Sequence, residues 1–204
     1  MKRGLLVLAL LVSGCASGGT PTDSGMPSVL PSVSAEPGVL PTGKSALPVS
    51  GVVFSPLDFV PPLRLTVPAG WTSTHRADDA FDFSRPDPTK DAPLVVVAFI
   101  TPDEPTAVEA LKTLRGRVGP GLPVTGTVGG VAAQGFDVVG GTGPLVQSPA
   151  GTLNLDRLPG QRARILALDL DDVPLLVVIA VPDGSQFPAT LPDVDALLAG
   201  VIQG

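Results

Sequence analysis

Tyrosine is absent from the chain, and cysteine, tryptophan and histidine each occur once, as Cys15, Trp71 and His75. A single cysteine excludes an intramolecular disulfide, so the fold must stand on its apolar core. A single histidine needs nearby carboxylates before it can act as a general base or metal ligand. There is no G-x-S-x-G elbow and no phosphate-binding glycine loop between a strand and a helix. These gaps remove the ordinary hydrolases, and the chain is not expected to be an enzyme or to carry a cofactor or metal. Basic residues are also short, with 13 Lys and Arg against 19 Asp and Glu and a net charge of −6. Such a chain lacks the basic face that neutralises phosphates, which argues against a nucleic-acid partner. The apolar run at residues 4–12, GLLVLALLV, falls short of the ~20 residues that span a bilayer.

What is present begins at the N-terminus. Met1, Lys2 and Arg3 give a positive head, the apolar run follows, and Val12-Ser13-Gly14-Cys15 closes the segment with small residues before a cut. This is the pattern of an export signal. The last four residues resemble the lipobox of bacterial lipoproteins, and an ordinary cleaved secretory peptide is the competing reading. The resemblance implies that Cys15 is lipidated, becomes the new N-terminus and anchors the protein to the cell membrane by several acyl chains. One chain alone binds only marginally, while two or more hold stably. Residues 1–14 are then signal peptide, and everything beyond them is extracytoplasmic. Without Lys2 and Arg3 the charge of −6 becomes −8.

Residues 15–50 read as the lipidated cysteine followed by a tether. Ala16 to Pro48 is dense in Pro, Gly, Ser and Thr, and its few apolar residues show no period. A segment of this kind cannot bury enough surface to offset its ordering entropy. As a flexible coil it spans ~30 Å. Residues 51–204 are long enough for one domain, which at ~150 residues buries ~68–70% of its unfolded surface.

Within that domain Leu63, Leu65 and Val67 alternate as a half-buried strand does, until Pro68-Ala69-Gly70 breaks the pattern and leaves Trp71 at a turn exit. Phe81-Asp82-Phe83 is expected to pair with it as a hairpin. Leu94 to Ile100, LVVVAFI, lacks alternation and so predicts a strand covered on both faces. Val108, Leu111, Leu114 and Val118 recur at helical spacing after an acidic, Pro-containing start. Val124 to Val128 and Val131 to Val139 flank Gly129-Gly130, a two-residue hairpin signal. Gly140 to Gln161 shows little pattern. Arg164 to Leu170 alternates, Asp171-Asp172 turns the chain, and Val173 to Val181 predicts a second doubly covered strand. A final helix carries Val194, Leu197, Leu198 and Val201 on one face, with Asp193 as its expected cap. The fold class is α+β: an antiparallel sheet of about six to seven strands with two packed helices, forming a sandwich.

Leu65-Thr66-Val67-Pro68-Ala69-Gly70-Trp71, the strand from Asp79 to Phe83, the Val128 to Ala133 hairpin and a closing helix from Phe187 to Ile202 together resemble the PsbP-like superfamily. The resemblance runs from about Leu57 to Gly204. It implies an α/β/α sandwich that is usually non-enzymatic and acts through protein contacts, and it assigns no functional residue.

Three clusters remain as candidate sites. His75 lies near Asp78, Asp79 and Asp82 in sequence, but it reads more simply as an exposed loop histidine. Asp169, Asp171 and Asp172 form an acidic hairpin tip without EF-hand spacing, and so read as a solvated turn. Arg157, Arg162 and Arg164 are a basic excess at the end of the Gly140 to Gln161 loop. Arginine forks suit carboxylates and phosphates, so this loop is the candidate partner-binding element. Trp71, Phe81 and Phe83 read as core. The expected function is a membrane-anchored accessory module that binds another, unknown protein of the cell envelope. The alternative is a carrier for an apolar ligand held between sheet and helix, for which a pocket of ~300–1,000 Å³ is the requirement.

Overall fold

The computed structural model describes residues 38–39 and 43–204; Cys15, the signal segment and most of the predicted tether lie outside the described residues. The chain forms β1 (Gly38–Val39), β2 (Gly43–Phe54), β3 (Leu63–Arg76), β4 (Ala80–Pro86) and β5 (Pro93–Ile100), then α1 (Ala107–Val118). After α1 come β6 (Leu122–Val128), β7 (Val131–Val139), β8 (Pro144–Gln147), β9 (Asn154–Asp156), β10 (Arg162–Leu170) and β11 (Val173–Val181). A short 3-10 turn, Gly184–Gln186, leads into α2 (Phe187–Ala199), and β12 (Val201–Gln203) closes the chain. The main sheet runs β1-β2-β3-β4-β5-β11-β10-β7-β6, with β12 beside β3, and all its pairings except β1–β2 are antiparallel. The class is α+β as expected, but the strands exceed six or seven. Those that escaped the sequence reading are β2, whose Gly and Pro mask it, and the short β1, β8, β9 and β12.

Successive side chains on a strand point to opposite faces, and here both faces are covered. On one, Val95, Val97 and Phe99 of β5 and Leu175, Val177, Ile179 and Val181 of β11 pack with Phe187, Val194, Leu197 and Leu198 of α2. On the other, Ala98, Ile100, Leu176 and Val178 meet Ala110, Leu111 and Leu114 of α1 and Leu145, Val146 and Leu153 of the β8–β9 hairpin. This is why LVVVAFI and VPLLVVIAV lack alternation. Each fully buried aliphatic or phenylalanine side chain contributes ~1.5–3 kcal/mol.

Five details depart from the sequence reading. Pro68-Ala69-Gly70 does not end a strand: β3 runs through it, because Val49 faces Trp71 and Gly51 faces Val67, so the three residues bulge opposite Ser50. Val108 does not face the core but is 66% exposed, since the buried stripe of α1 is Ala107, Ala110, Leu111, Leu114 and Val118. Asp193 is not a cap, because α2 starts at Phe187 and continues across Pro192. The Gly140 to Gln161 segment is not wholly loop, since it folds into β8 and β9. And β2 crosses the boundary expected at residue 51, starting at Gly43.

Gly129-Gly130 makes the expected two-residue turn with φ of +59° and +80°. Gly129 is required twice over, because a Cβ there would lie 2.2 Å from the Val201 carbonyl oxygen. Its N–H donates to the Leu198 carbonyl at 2.8 Å, so the hairpin tip is tied to the end of α2.

Candidate functional site

β10 carries Arg162 and Arg164 on one face, two residues apart, and β7 places Asp137 directly opposite Arg164. The Asp137 carboxylate, 3% exposed, accepts from Arg162 Nη2 at 3.0 Å, from Arg164 Nε at 2.8 Å and from Arg164 Nη2 at 3.2 Å. The first residue of α2 supplies an apolar wall, with the Phe187 ring centre 4.5 Å from the Arg162 guanidinium carbon and 5.4 Å from that of Arg164. Hydrogen bonding to Asp137 holds the Arg164 guanidinium above its usual value against the effect of burial, and the charges of Asp137 and Asp195 add to it. Two guanidiniums thus share one carboxylate beneath an aromatic ring. Arg157, the third member of the predicted cluster, is engaged elsewhere: Nη1 donates to the Val118 carbonyl at 3.3 Å and Nη2 to that of Thr142 at 2.8 Å. It ties the entry of the β8–β9 segment to the end of α1. Sequence reasoning missed Asp137, whose only signal is a carboxylate in the apolar stretch Phe136-Asp137-Val138.

His75 is not an exposed loop residue. It lies in β3 and is 6% exposed, because the strand continues past Gly70. Asp82 accepts the backbone N–H of His75 at 2.9 Å, together with the N–H and hydroxyl of Thr74 at 3.0 and 2.9 Å. Asp79 turns instead to the β8–β9 hairpin, accepting from the Ala150 N–H at 2.7 Å and from the Thr152 hydroxyl. Partial burial pushes the Asp79 carboxyl up, but hydrogen bonds from Thr152, Ala150 and Ser148 outweigh it and hold the group below its ordinary value. Asp78 is exposed.

The acidic tip disperses in the same way. Asp169 accepts the Ala107 N–H at 2.8 Å and so helps cap α1, where Thr106 Oγ1 accepts from Glu109 at 3.3 Å. Asp171 takes the Gln203 side-chain amide at 2.7 Å. Asp171 and Asp172 form the turn, with φ of 47° and 65°. Among the described residues no three His, Cys, Asp or Glu side chains are grouped to hold a metal ion.

Grooves mark the surface. One of about 510 Å³ lies over Thr72, Thr74, Ser84 and Lys90; another of about 270 Å³ lies between α1 and the β8–β9 hairpin, rimmed by Asp103, Glu104 and Arg117. Both are open to solvent. Beneath α2 the space is filled: Trp71, Phe81 and Phe83 are 2%, 0% and 0% exposed, and Phe81 stacks on Phe99 at 5.0 Å.

No protein-family model and no curated protein matches the chain. Nine chains of solved structures show a distant similarity, two of them as follows. One, from Bacteroides thetaiotaomicron, is 10% identical with a TM-score of 0.41 over 70% of this chain and 45% of that one. The chain therefore spans less than half the length of that protein. The other is LpqN, involved in cell envelope biogenesis of Mycobacterium tuberculosis, 12% identical with a TM-score of 0.38 over 77% of this chain and 89% of that one.

Proposed function

We propose that this protein is an extracytoplasmic lipoprotein, held on the cell membrane by acyl chains on Cys15, whose PsbP-like sandwich domain serves as a non-enzymatic, protein-binding accessory module of the cell envelope. The observation that carries the reading is Val12-Ser13-Gly14-Cys15 after a charged head and apolar run, with Cys15 the only cysteine in the chain. Among the described residues no helix is long and apolar enough to cross a membrane. The non-enzymatic part is supported by how the acidic candidates are engaged. Asp79, Asp82 and Asp169 each accept hydrogen bonds that fasten one element to another.

The test is Cys15→Ser in the full chain. The wild type incorporates an alkyne-labelled fatty acid and sediments with membranes; the variant is expected to lose the label and appear in the soluble fraction. A variant that stays unlabelled yet remains membrane-bound would sink the anchoring role, and a labelled variant would sink the assignment of Cys15.

A further inference from the structure

Two rows of side chains cross one corner of the sheet. In an antiparallel pairing, directly opposed residues share a face. Leu122 of β6 opposes Asp137 of β7, Asp137 opposes Arg164 of β10, and Arg164 opposes Ile179 of β11. In the next row on that face, Val139 opposes Arg162 and Arg162 opposes Val181. The inner ends of both rows are core, with Ile179 and Val181 packed against α2. The outer ends are bare: Leu122 is 64% and Val139 is 71% exposed. Between them stand the two guanidiniums, with 33% and 21% of their side chains exposed.

Each guanidinium offers five N–H donors. Asp137 takes one from Arg162 and two from Arg164, and the Nη1 groups of both have no hydrogen-bond partner among the described residues. The counter-charges are Asp137 within the sheet and the exposed Asp195 on α2, which adds to the field at Arg164 without a hydrogen bond to it. Exposed carboxylates act through water and are weakened by it, whereas a carboxylate seated on the open donors would be in direct contact. Phe187 holds the guanidiniums in place, so little side-chain freedom remains to be lost on binding. Ordered arginines beside exposed aliphatics suit an interface centre, while Phe187 itself stays in the core and serves only to hold them.

We propose that this corner is where the domain docks its protein partner, and that the partner presents a carboxylate next to an aliphatic side chain: the carboxylate meets Arg162 and Arg164, and the aliphatic group meets Leu122 and Val139. The proposal rests on the protein-binding reading and adds the surface and the chemistry it recognises. It retains Arg162 and Arg164 from the sequence-based candidates, drops Arg157, and brings in Leu122 and Val139, which no sequence pattern marked.

The experiment uses the full chain in its own host, with benzoylphenylalanine placed singly at positions 122 and 139 and, as controls on other exposed apolar positions, at 57, 108 and 202. Irradiation is expected to give one protein adduct at both 122 and 139, and the joined peptide is expected to carry Asp or Glu within about two residues of Leu, Ile or Val. With the probe at 139, Leu122→Asp supplies an internal carboxylate next to the cluster and is expected to cut the adduct about tenfold. Position 122 is exposed, so the fold tolerates the change. Adducts confined to the control positions would overturn this surface while leaving the protein-binding reading standing. No protein adduct at any of the five positions would overturn both. A lipid adduct, a second copy of this chain, or a joined peptide without an acidic residue would overturn the proposed chemistry.

Discussion

At the scale of single residues the polar interior turns on Asp137. Its carboxylate is 3% exposed and receives three hydrogen bonds from two guanidiniums. Removing one partner of a buried ion pair costs about 3–5 kcal/mol, because the charge left behind has lost water as well as its partner. Here the groups left behind are arginines with 33% and 21% of their side chains exposed, and water compensates part of the loss. Asp137→Ala is therefore expected to destabilise the domain by about 2–3 kcal/mol, read as a lower urea midpoint with an unchanged slope. A midpoint within error of wild type would show that the cluster contributes nothing to stability. The sequence displayed the two arginines but not their partner, which is distant along the chain and is brought opposite by register alone. His75 reads as a loop residue for a related reason, since burial is a property of the continued strand, and the strand's continuation depends on a bulge that Pro68 and Gly70 disguise as an ending.

Among elements, the legible ones were those whose period comes from one dominant environment. β5 and β11 announced their double burial, and the β6–β7 turn announced itself through paired glycines. The two glycines are nonetheless unequal. Alanine at 130 meets no atom within 4 Å and bears only the strain of φ +80°, about 1 kcal/mol. Alanine at 129 adds a Cβ 2.2 Å from the Val201 carbonyl oxygen, against backbone that cannot swing aside. Gly129→Ala is expected to cost about 3 kcal/mol or more, with the loss visible as weakened exchange protection along β12. Equal losses for the two variants would show that the hairpin tip does not bear on β12.

The β8–β9 hairpin was illegible because its strands are short and set in glycine-rich sequence; packing of Leu145, Val146 and Leu153, with Asp79 at its tip, replaces the missing pattern. That latch has a pH sign. Because the folded carboxyl lies below its ordinary value of 3.8, its stabilisation is present above that value and is lost as pH falls through the folded one. Protection of the Ala150 amide, corrected for intrinsic exchange, is expected to fall on acidification below 3.8, and to be already low at neutral pH in Asp79→Ala. Protection that follows neither change would remove Asp79 from the latch.

For the whole molecule, sequence sufficed for the α+β class and the two-sided core but not for the sheet's extent, since the path from β1 to β6 is set by which strands find each other and not by any strand's own residues. Charge is a whole-molecule property that sequence does determine. With 19 acidic against 13 basic residues the chain carries −6, and the proposed mature form, without Lys2 and Arg3, would carry −8. The arginine corner does not reverse this locally, because Asp137 and Asp195 oppose Arg162 and Arg164. An anionic bilayer is therefore expected to repel the domain, and lower salt to strengthen the repulsion by lengthening its reach. The Cys15→Ser chain, mixed with vesicles of about one-third anionic lipid, is expected to stay in the supernatant at every salt concentration, whereas the wild-type chain binds at all of them. Binding of the variant that appears at low salt and fades at high salt would mean that a basic surface holds this protein to membranes, and the acyl chains would lose their place as its attachment.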